Sequence, residues 1–255
     1  MRKVWVIATN SFRENIRDRI LYNLLVFALI MIALSVFMVQ LSTGEWQRIT
    51  VDVGLSSISI FGSLMAIFLG ISLVSKEIEK RTIYTVLAKP VSRSAFLLGK
   101  YLGLVITILV NISIMVVVYL VVIHILGMNF SWAQAQAIIL IFFKLLIVVS
   151  IALFFSSFST VTLSAIFTLS LFVLGHLTDE GKTFGEQSKK VLYKYATTVI
   201  YYLIPNLSNY SWLDSATYGI AMSPTDFGIR LGIAIITAGF FLALASIILE
   251  RRDFV

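Results

Sequence analysis

The sequence predicts an all-α integral membrane protein. It has six transmembrane helices, an N-terminal interfacial helix, a charged cytoplasmic helix between spans 2 and 3, and outer amphipathic helices between spans 5 and 6. Three observations predict this. First, 59% of the 255 residues are hydrophobic and only 13% are charged, where a soluble domain carries about 25% charged residues. Such a chain cannot cover its own surface with polar groups, and its mean hydropathy of +0.96 agrees. Second, the apolar residues fall in runs long enough to cross a ~30 Å hydrocarbon core at about 1.5 Å per residue. Third, one long charged stretch, 76–100, stands between two of those runs.

Residues 1–19 carry Trp5, Ala8, Phe12 and Ile16 every three or four positions, with Arg2, Lys3, Arg13, Arg17 and Asp18 elsewhere. That stripe is the pattern of a helix lying in the membrane interface. A signal peptide is the weaker reading, because the polar lead is long, the following apolar run exceeds a signal core and no small-residue cleavage site comes after it. The first span is 20–41. Ser42 to Val53 reads as a short polar loop with Glu45, Arg48 and Asp52. The second span, 54–75, puts Gly62, Ala66 and Gly70 on one face, where small residues let another helix approach closely. Packing within the subunit, the lining of a pathway and a dimer seam all fit that face.

The stretch 76–100 holds six basic residues (Lys76, Lys80, Arg81, Lys89, Arg93, Lys100) and the carboxylates Glu77 and Glu79. Ile78, Ile83, Val86 and Leu87 fall close to helical spacing, which predicts a short amphipathic helix. Pro90 ends it, because the residue before a proline is pushed out of the helical region. Ser92 or Ser94 can cap the next helix. The stretch is therefore a helix, a break and a helix, joined to a span on either side.

The third span is 101–126, and Gly127 to Gln134 form a short outer turn. The apolar stretch from 137 to 177 is too long for one span, and Ser156, Ser157, Ser159 and Thr160 divide it into spans at 137–156 and 160–177. Residues 178–228 form the longest polar region. Phe184, Val191, Leu192, Tyr195, Val199 and Tyr202 follow a helical stripe that ends at Pro205. Tyr193, Tyr201, Tyr210, Trp212 and Tyr218 add the aromatic density expected at the headgroup level. Ser223-Pro224-Thr225-Asp226 is a helix start, with Ser as cap and Pro in the first turn, and the last span is 229–249.

Charge sets the orientation. With both termini in the cytoplasm, thirteen of the twenty Lys and Arg residues lie inside and six outside, and the twentieth, Lys144, is within a span. Basic loops stay cytoplasmic, so the expectation is a multi-pass protein of the plasma membrane with both ends inside.

Lys144 is an intramembrane cation, which makes it a functional candidate. The alternative is that its stem snorkels to the headgroups, because it lies near the outer end of its span. His124 and His176, also near outer span ends, read as interfacial side chains. No catalytic, cofactor-binding or metal-ligating set is evident. The chain has no cysteine and only two histidines, which excludes disulfides, thiol chemistry and multi-histidine metal centres. It contains no HExxH, no GxSxG and no GxxxxGK[ST] phosphate loop, so any ATP that drives it must be bound by another chain. The spans contain no proline and no carboxylate, which argues against ion coupling. Nucleic-acid binding would need a basic soluble domain, and none is present.

On specific residues the chain resembles the permease subunits of type-2 ABC transporters, and most of all the branch that includes the permease of the nitrous-oxide-reductase maturation system. The residues are Glu77-Ile78-Glu79-Lys80-Arg81-Thr82-Ile83, Leu87-Ala88-Lys89-Pro90-Val91-Ser92-Arg93 and Leu97-Leu98-Gly99-Lys100. Pro205-Asn206-Leu207 and the ending Glu250-Arg251-Arg252-Asp253 support that branch. Many members of the wider superfamily have Gly before the Thr where Arg81 stands here. The resemblance implies that 76–100 is a coupling helix docked on a separate ABC ATPase subunit, which binds the ATP and Mg. This chain would bind no cofactor directly. It also implies a second permease copy, with spans 2 and 5 lining a central path through membrane lipid. Glu77, Glu79, Lys80, Arg81 and Arg93 would make charged contacts to the ATPase, with Ile83, Tyr84 and Leu87 as apolar anchor and Thr82 and Pro90 completing the motif. The function implied is an ATP-driven permease, an exporter. Two alternatives stay open. One is an assembly factor that transmits ATPase motion to an outer partner through 178–228 and moves no substrate. The other is an ion-coupled secondary transporter.

Overall fold

The computed structural model describes residues 2–41, 44–79, 92–187, 195, 197–199, 201 and 204–251. Among the described residues the chain is helical, with no strand. Its helices are α1 (Arg2–Ile16), α2 (Arg19–Leu41), α3 (Trp46–Glu79), α4 (Arg93–Ile125), α5 (Trp132–Phe158), α6 (Val161–His176), α7 (Thr178–Gln187), α8 (Leu213–Thr217) and α9 (Pro224–Arg251). Helices suit an apolar chain because every backbone polar group is satisfied within the segment, with no call on water. By length and composition α3, α4, α5 and α9 can each cross a membrane, and the count rises to six if the bent pairs α1–α2 and α6–α7 are each one span.

Short polar residues set most of the boundaries. Ser92 caps α4 by accepting a hydrogen bond from the Ala95 amide, so of the two serines expected to cap this helix, Ser92 is the one used. Ser131 caps α5 and Thr160 caps α6 in the same way. Gly127 makes the turn between α4 and α5 at φ 67°, a left-handed conformation that costs glycine little. Ser223 accepts from the Asp226 amide at 3.2 Å at the start of α9, as expected. Boundary expectations fail at two outer loops. The turn expected over 127–134 ends early, because α5 begins at Trp132, five residues ahead of its apolar run. The polar stretch after Thr43 is not a loop as far as Val53, because α3 begins at Trp46. Its hydroxyls bond within the helix, as Thr50 does to the Trp46 carbonyl at 2.9 Å, so polar residues extend the helix beyond its apolar run.

α3, α5 and α9 run one way, and α4 runs the other. Ser59, Gly62 and Gly70 of α3 meet Lys144, Leu145 and Ala152 of α5 in the same order. α5 is the hub, with a buried run from Ile147 to Leu153 packed against α3 and α9. The two long helices beside it differ in exposure. About 72% of the most apolar window of α3 is buried, against 22% for α9, whose Ile233, Ile236 and Phe240 face outward. α3 is an interior helix and α9 a peripheral one.

At the opposite end from the termini, α7 turns 51° away from α6. The segment 205–210 folds back on that corner. Asp179 accepts hydrogen bonds from Asn206 at 2.6 Å and from Ser208, and the Leu207 amide donates to the Gly175 carbonyl at 2.8 Å. Arg230 of α9 bonds the Asn209 carbonyl and stacks on Trp212. Of the aromatic stripe expected here, Val191, Leu192, Tyr193 and Tyr202 lie outside the described residues.

Candidate functional site

The candidate coupling region is framed by two long helices. α3 continues without a break through the end of its apolar run to Glu79, so Glu77 and Glu79 are on its last turn. Lys80, Arg81, Thr82, Ile83, Tyr84, Leu87 and Pro90 lie outside the described residues. α4 then starts at Arg93. This side chain points into the chain: Nη1 donates to the Leu249 carbonyl at 2.6 Å and the Glu250 carbonyl at 3.1 Å, both in the last turn of α9. Those carbonyls lie at the C-terminal end of the helix and carry the negative end of its dipole, so a guanidinium suits them.

α1 completes this end. It packs parallel to the first turns of α4, and the contact depends on small residues. A Cβ on Gly99 would lie 2.7 Å from Ile7, and one on Gly103 would lie 2.6 Å from Ser11 and 2.7 Å from the Ala8 carbonyl. Ala8, Ser11 and Asn15 are buried, while Trp5 is 62% exposed. The packed face shares Ala8 with the stripe of Trp5, Ala8, Phe12 and Ile16, but its other members, Ser11 and Asn15, are small or polar, since close backbone approach needs small residues, and Trp5 faces outward. Two polar contacts lock the pair: Asn15 Nδ2 donates to Thr107 Oγ1 at 3.3 Å, and Lys100 Nζ lies 3.6 Å from Glu14. The missed signal was Gly99 and Gly103, four apart, the same spacing as Gly62, Ala66 and Gly70.

The second candidate group is in the interior. Gly62 sits under Leu145 and Gly70 under Ala152, both on α5 of the same chain, and Ala66 between them is fully buried. Lys144 does not snorkel. It is 1% exposed and donates to Ser59 Oγ at 2.6 Å. Its Cα is on the face of α5 turned towards α3, so the stem runs into the bundle and cannot reach the headgroups. Nearby, Ser164 and Thr168 of α6 are buried with no hydrogen-bond partner for either hydroxyl. Ser156 and Ser157, expected only to divide two spans, are buried as well, and Ser156 Oγ donates to the Ile71 carbonyl at 3.1 Å. His124 is exposed, and His176 bonds the Phe172 carbonyl at 2.9 Å through Nδ1.

Residues 5–253 match the family model described as ABC-2 family transporter protein. The chain belongs to the ABC-2 transporter family. No curated protein sequence matches it significantly. ABC-2 membership makes this a multi-pass membrane protein and a transporter permease subunit, the kind of chain that works with an ABC ATPase subunit.

Proposed function

We propose that this chain is the permease subunit of an ATP-driven exporter. It has six spans and both termini in the cytoplasm of a bacterial or archaeal cell, and it works as a pair with two ATPase subunits. Residues 76–100 are the coupling region. Glu77, Glu79, Lys80 and Arg81 meet the ATPase through charge, Ile83, Tyr84 and Leu87 anchor the contact, and Arg93 holds the base of the lever to α9. The chain itself is not an enzyme; ATP and Mg act in the partner. α3 and α6 line the path, and Lys144 is the charged group on it. Within the family, the motif from Glu77 to Arg93 and the Glu250-Arg251-Arg252-Asp253 ending favour the nitrous-oxide-reductase maturation branch.

One observation carries this reading. α3 is a single helix of 34 residues, about 51 Å long at 1.5 Å per residue, and it enters the charged connector without a break. A motion imposed on such a connector tilts the whole helix, where a loop would absorb it. The test is co-purification of the ATPase with Arg81→Glu and Leu87→Asp variants. The expected result is loss of association and of permease-stimulated ATP hydrolysis. Unchanged association in both variants counts against the coupling role.

A second reading, force transmission to an outer partner with no substrate moved, draws support from the Asp179–Asn206–Ser208 network, which ties the outer segment to the start of α7, and from the Leu207 amide bond to Gly175 of α6. ATPase activity in liposomes separates the two. An exporter is stimulated by its substrate, and a force transmitter by its protein partner alone.

A further inference from the structure

The elbow between α1 and α2 reads Arg-Glu-Asn-Ile-Arg-Asp-Arg over residues 13–19. Its other polar groups are engaged. Glu14 lies 3.6 Å from Lys100, Asn15 donates to Thr107, and Asp18 has a partner of its own. Its arginines are not. Arg13 and Arg17, four residues apart, share a face of α1. Arg19 opens α2, on the far side of a 65° bend. All three are exposed, and none has a hydrogen bond or ion pair among the described residues. Three arginines elsewhere contrast with them: Arg48 pairs with Glu45, Arg93 bonds the end of α9, and Arg230 bonds the Asn209 carbonyl.

α2 adds an apolar surface to this charge. One of its faces, with Leu21, Leu25, Ala28 and Ile32, is buried against α3. The outward face carries Tyr22, Val26, Ile30, Leu34 and Phe37, all exposed. At about 1.5 Å per residue this ridge is about 22 Å long, more than the ~15 Å of chain in one leaflet of a ~30 Å core. It begins one turn beyond Arg19. Guanidinium groups at one end of an apolar ridge complement an amphiphile that carries its anion at the end of its chains.

Other occupants fit less well. A second copy joined across a two-fold seam here would bring the same arginines face to face, and like charges repel. An acidic soluble protein can meet the arginines but cannot cover a ridge that lies in hydrocarbon. We propose that the α1–α2 elbow binds an anionic phospholipid, with its phosphate on Arg13, Arg17 and Arg19 and an acyl chain along Tyr22, Val26 and Ile30. Phosphate suits the fork of an arginine in a charge-assisted contact. A zwitterionic lipid brings its own cation to the same place and gains less. The site depends on membrane insertion and not on the direction of transport. In the orientation proposed above, the lipid belongs to the cytoplasmic leaflet, whose anionic headgroups attract basic residues.

The experiment is native mass spectrometry of the purified full chain, incubated at low salt with phosphatidylglycerol or phosphatidylcholine of the same acyl chains. One arginine at an anionic surface contributes up to about fivefold, and less as salt screens it. The expected result is retention of phosphatidylglycerol over phosphatidylcholine by about tenfold, falling to about threefold in Arg17→Gln and to near parity when Arg19→Gln is added. Arg17→Lys with Arg19→Lys keeps most of the preference. Arg251→Gln removes an exposed arginine from the end of α9 and leaves the preference unchanged, which separates a site from net charge. A photoactivatable phosphatidylglycerol on the unmodified chain gives a second measurement that needs no variant. Its acyl chain should label α2 between Tyr22 and Phe37 in preference to the exposed Ile233, Ile236 and Phe240 of α9. Equal retention of the two lipids by the wild type overturns the proposal. So does a preference that survives Arg17→Gln with Arg19→Gln, or one that Arg251→Gln lowers as much as Arg17→Gln does. Labelling that avoids α2, as a second copy seated there would cause, or that spreads evenly over α2 and α9, also overturns it.

Discussion

Lys100 and Lys144 are buried to nearly the same degree, 3% and 1% exposed, but their surroundings differ. Lys100, where α1 meets α4, has Glu14 at 3.6 Å and the Phe96 ring at 5.7 Å. Lys144, between α3 and α5, has Ser59 at 2.6 Å and no carboxylate in ion-pair range among the described residues. Burying a cation is repaid only by an opposite charge or by several good acceptors. The α1–α4 end provides a carboxylate, and the interior provides one hydroxyl. The first arrangement is that of a clamp. The second keeps a charge where an apolar side chain would pack at lower cost, as expected of a group kept for function.

Substitutions can break or sharpen this contrast. The largest effect is expected at the glycine seam beside Lys144. In Gly70→Leu the new Cβ would lie 2.5 Å from the Ala152 Cβ, which cannot swing aside. A loss of about 3 kcal/mol is expected, read as collapse of the monodisperse peak in detergent. Gly62→Ala meets only the tip of Leu145 at 2.9 Å, which can move, and should be much milder. Next is Ser59→Ala, which removes the hydroxyl that accepts from Lys144 and should cost about 2 kcal/mol in thermal unfolding. Lys144→Met should instead stabilise by about 1 kcal/mol and make the second substitution at Ser59 harmless, while transport falls. If Lys144→Met destabilises as Ser59→Ala does, the interior lysine is structural and the contrast with Lys100 fails.

At the clamp, Glu14→Gln should cost under about 1 kcal/mol, because Glu14 is 55% exposed and water screens the pair. Thermal unfolding at low and high salt checks this, and the difference from wild type should shrink with salt. The smallest effect is expected from Arg93→Gln. Loss of the cap on α9 should cost about 0.5 kcal/mol and show as faster amide exchange in the last turn of that helix, with the rest of the bundle unchanged.

Much of this was legible in advance. The apolar runs located α2, α4, α5, α6 and α9, the polar patch ending at Thr160 marked the break between α5 and α6, and Ser223 marked the start of α9, whereas Ser131 went unread because the turn was expected to run on to Gln134. The polar start of α3 was not legible, because a helix does not have to end where its apolar residues do. The inward turn of Lys144 was not legible either. A lysine within a span can snorkel or point inward, and the choice depends on which face of α5 meets α3. The same holds for α1, where of the conspicuous stripe only Ala8 is fully buried, and Ser11 and Asn15 beside it complete the contact. Arg93 was expected to contact the ATPase, yet its acceptors in this chain lie more than 150 residues further along.

By itself, the amino-acid sequence determined the membrane class, the helices and most of their boundaries. These depend on transfer free energy and on contacts within four residues, both of which are properties of a single segment. The tertiary structure alone decided which glycines face which helix, where the two buried lysines find partners, and that the arginines of the α1–α2 elbow have no acceptor among the described residues. Those are properties of pairs of surfaces, and two segments that each present several usable faces do not specify which pair will meet.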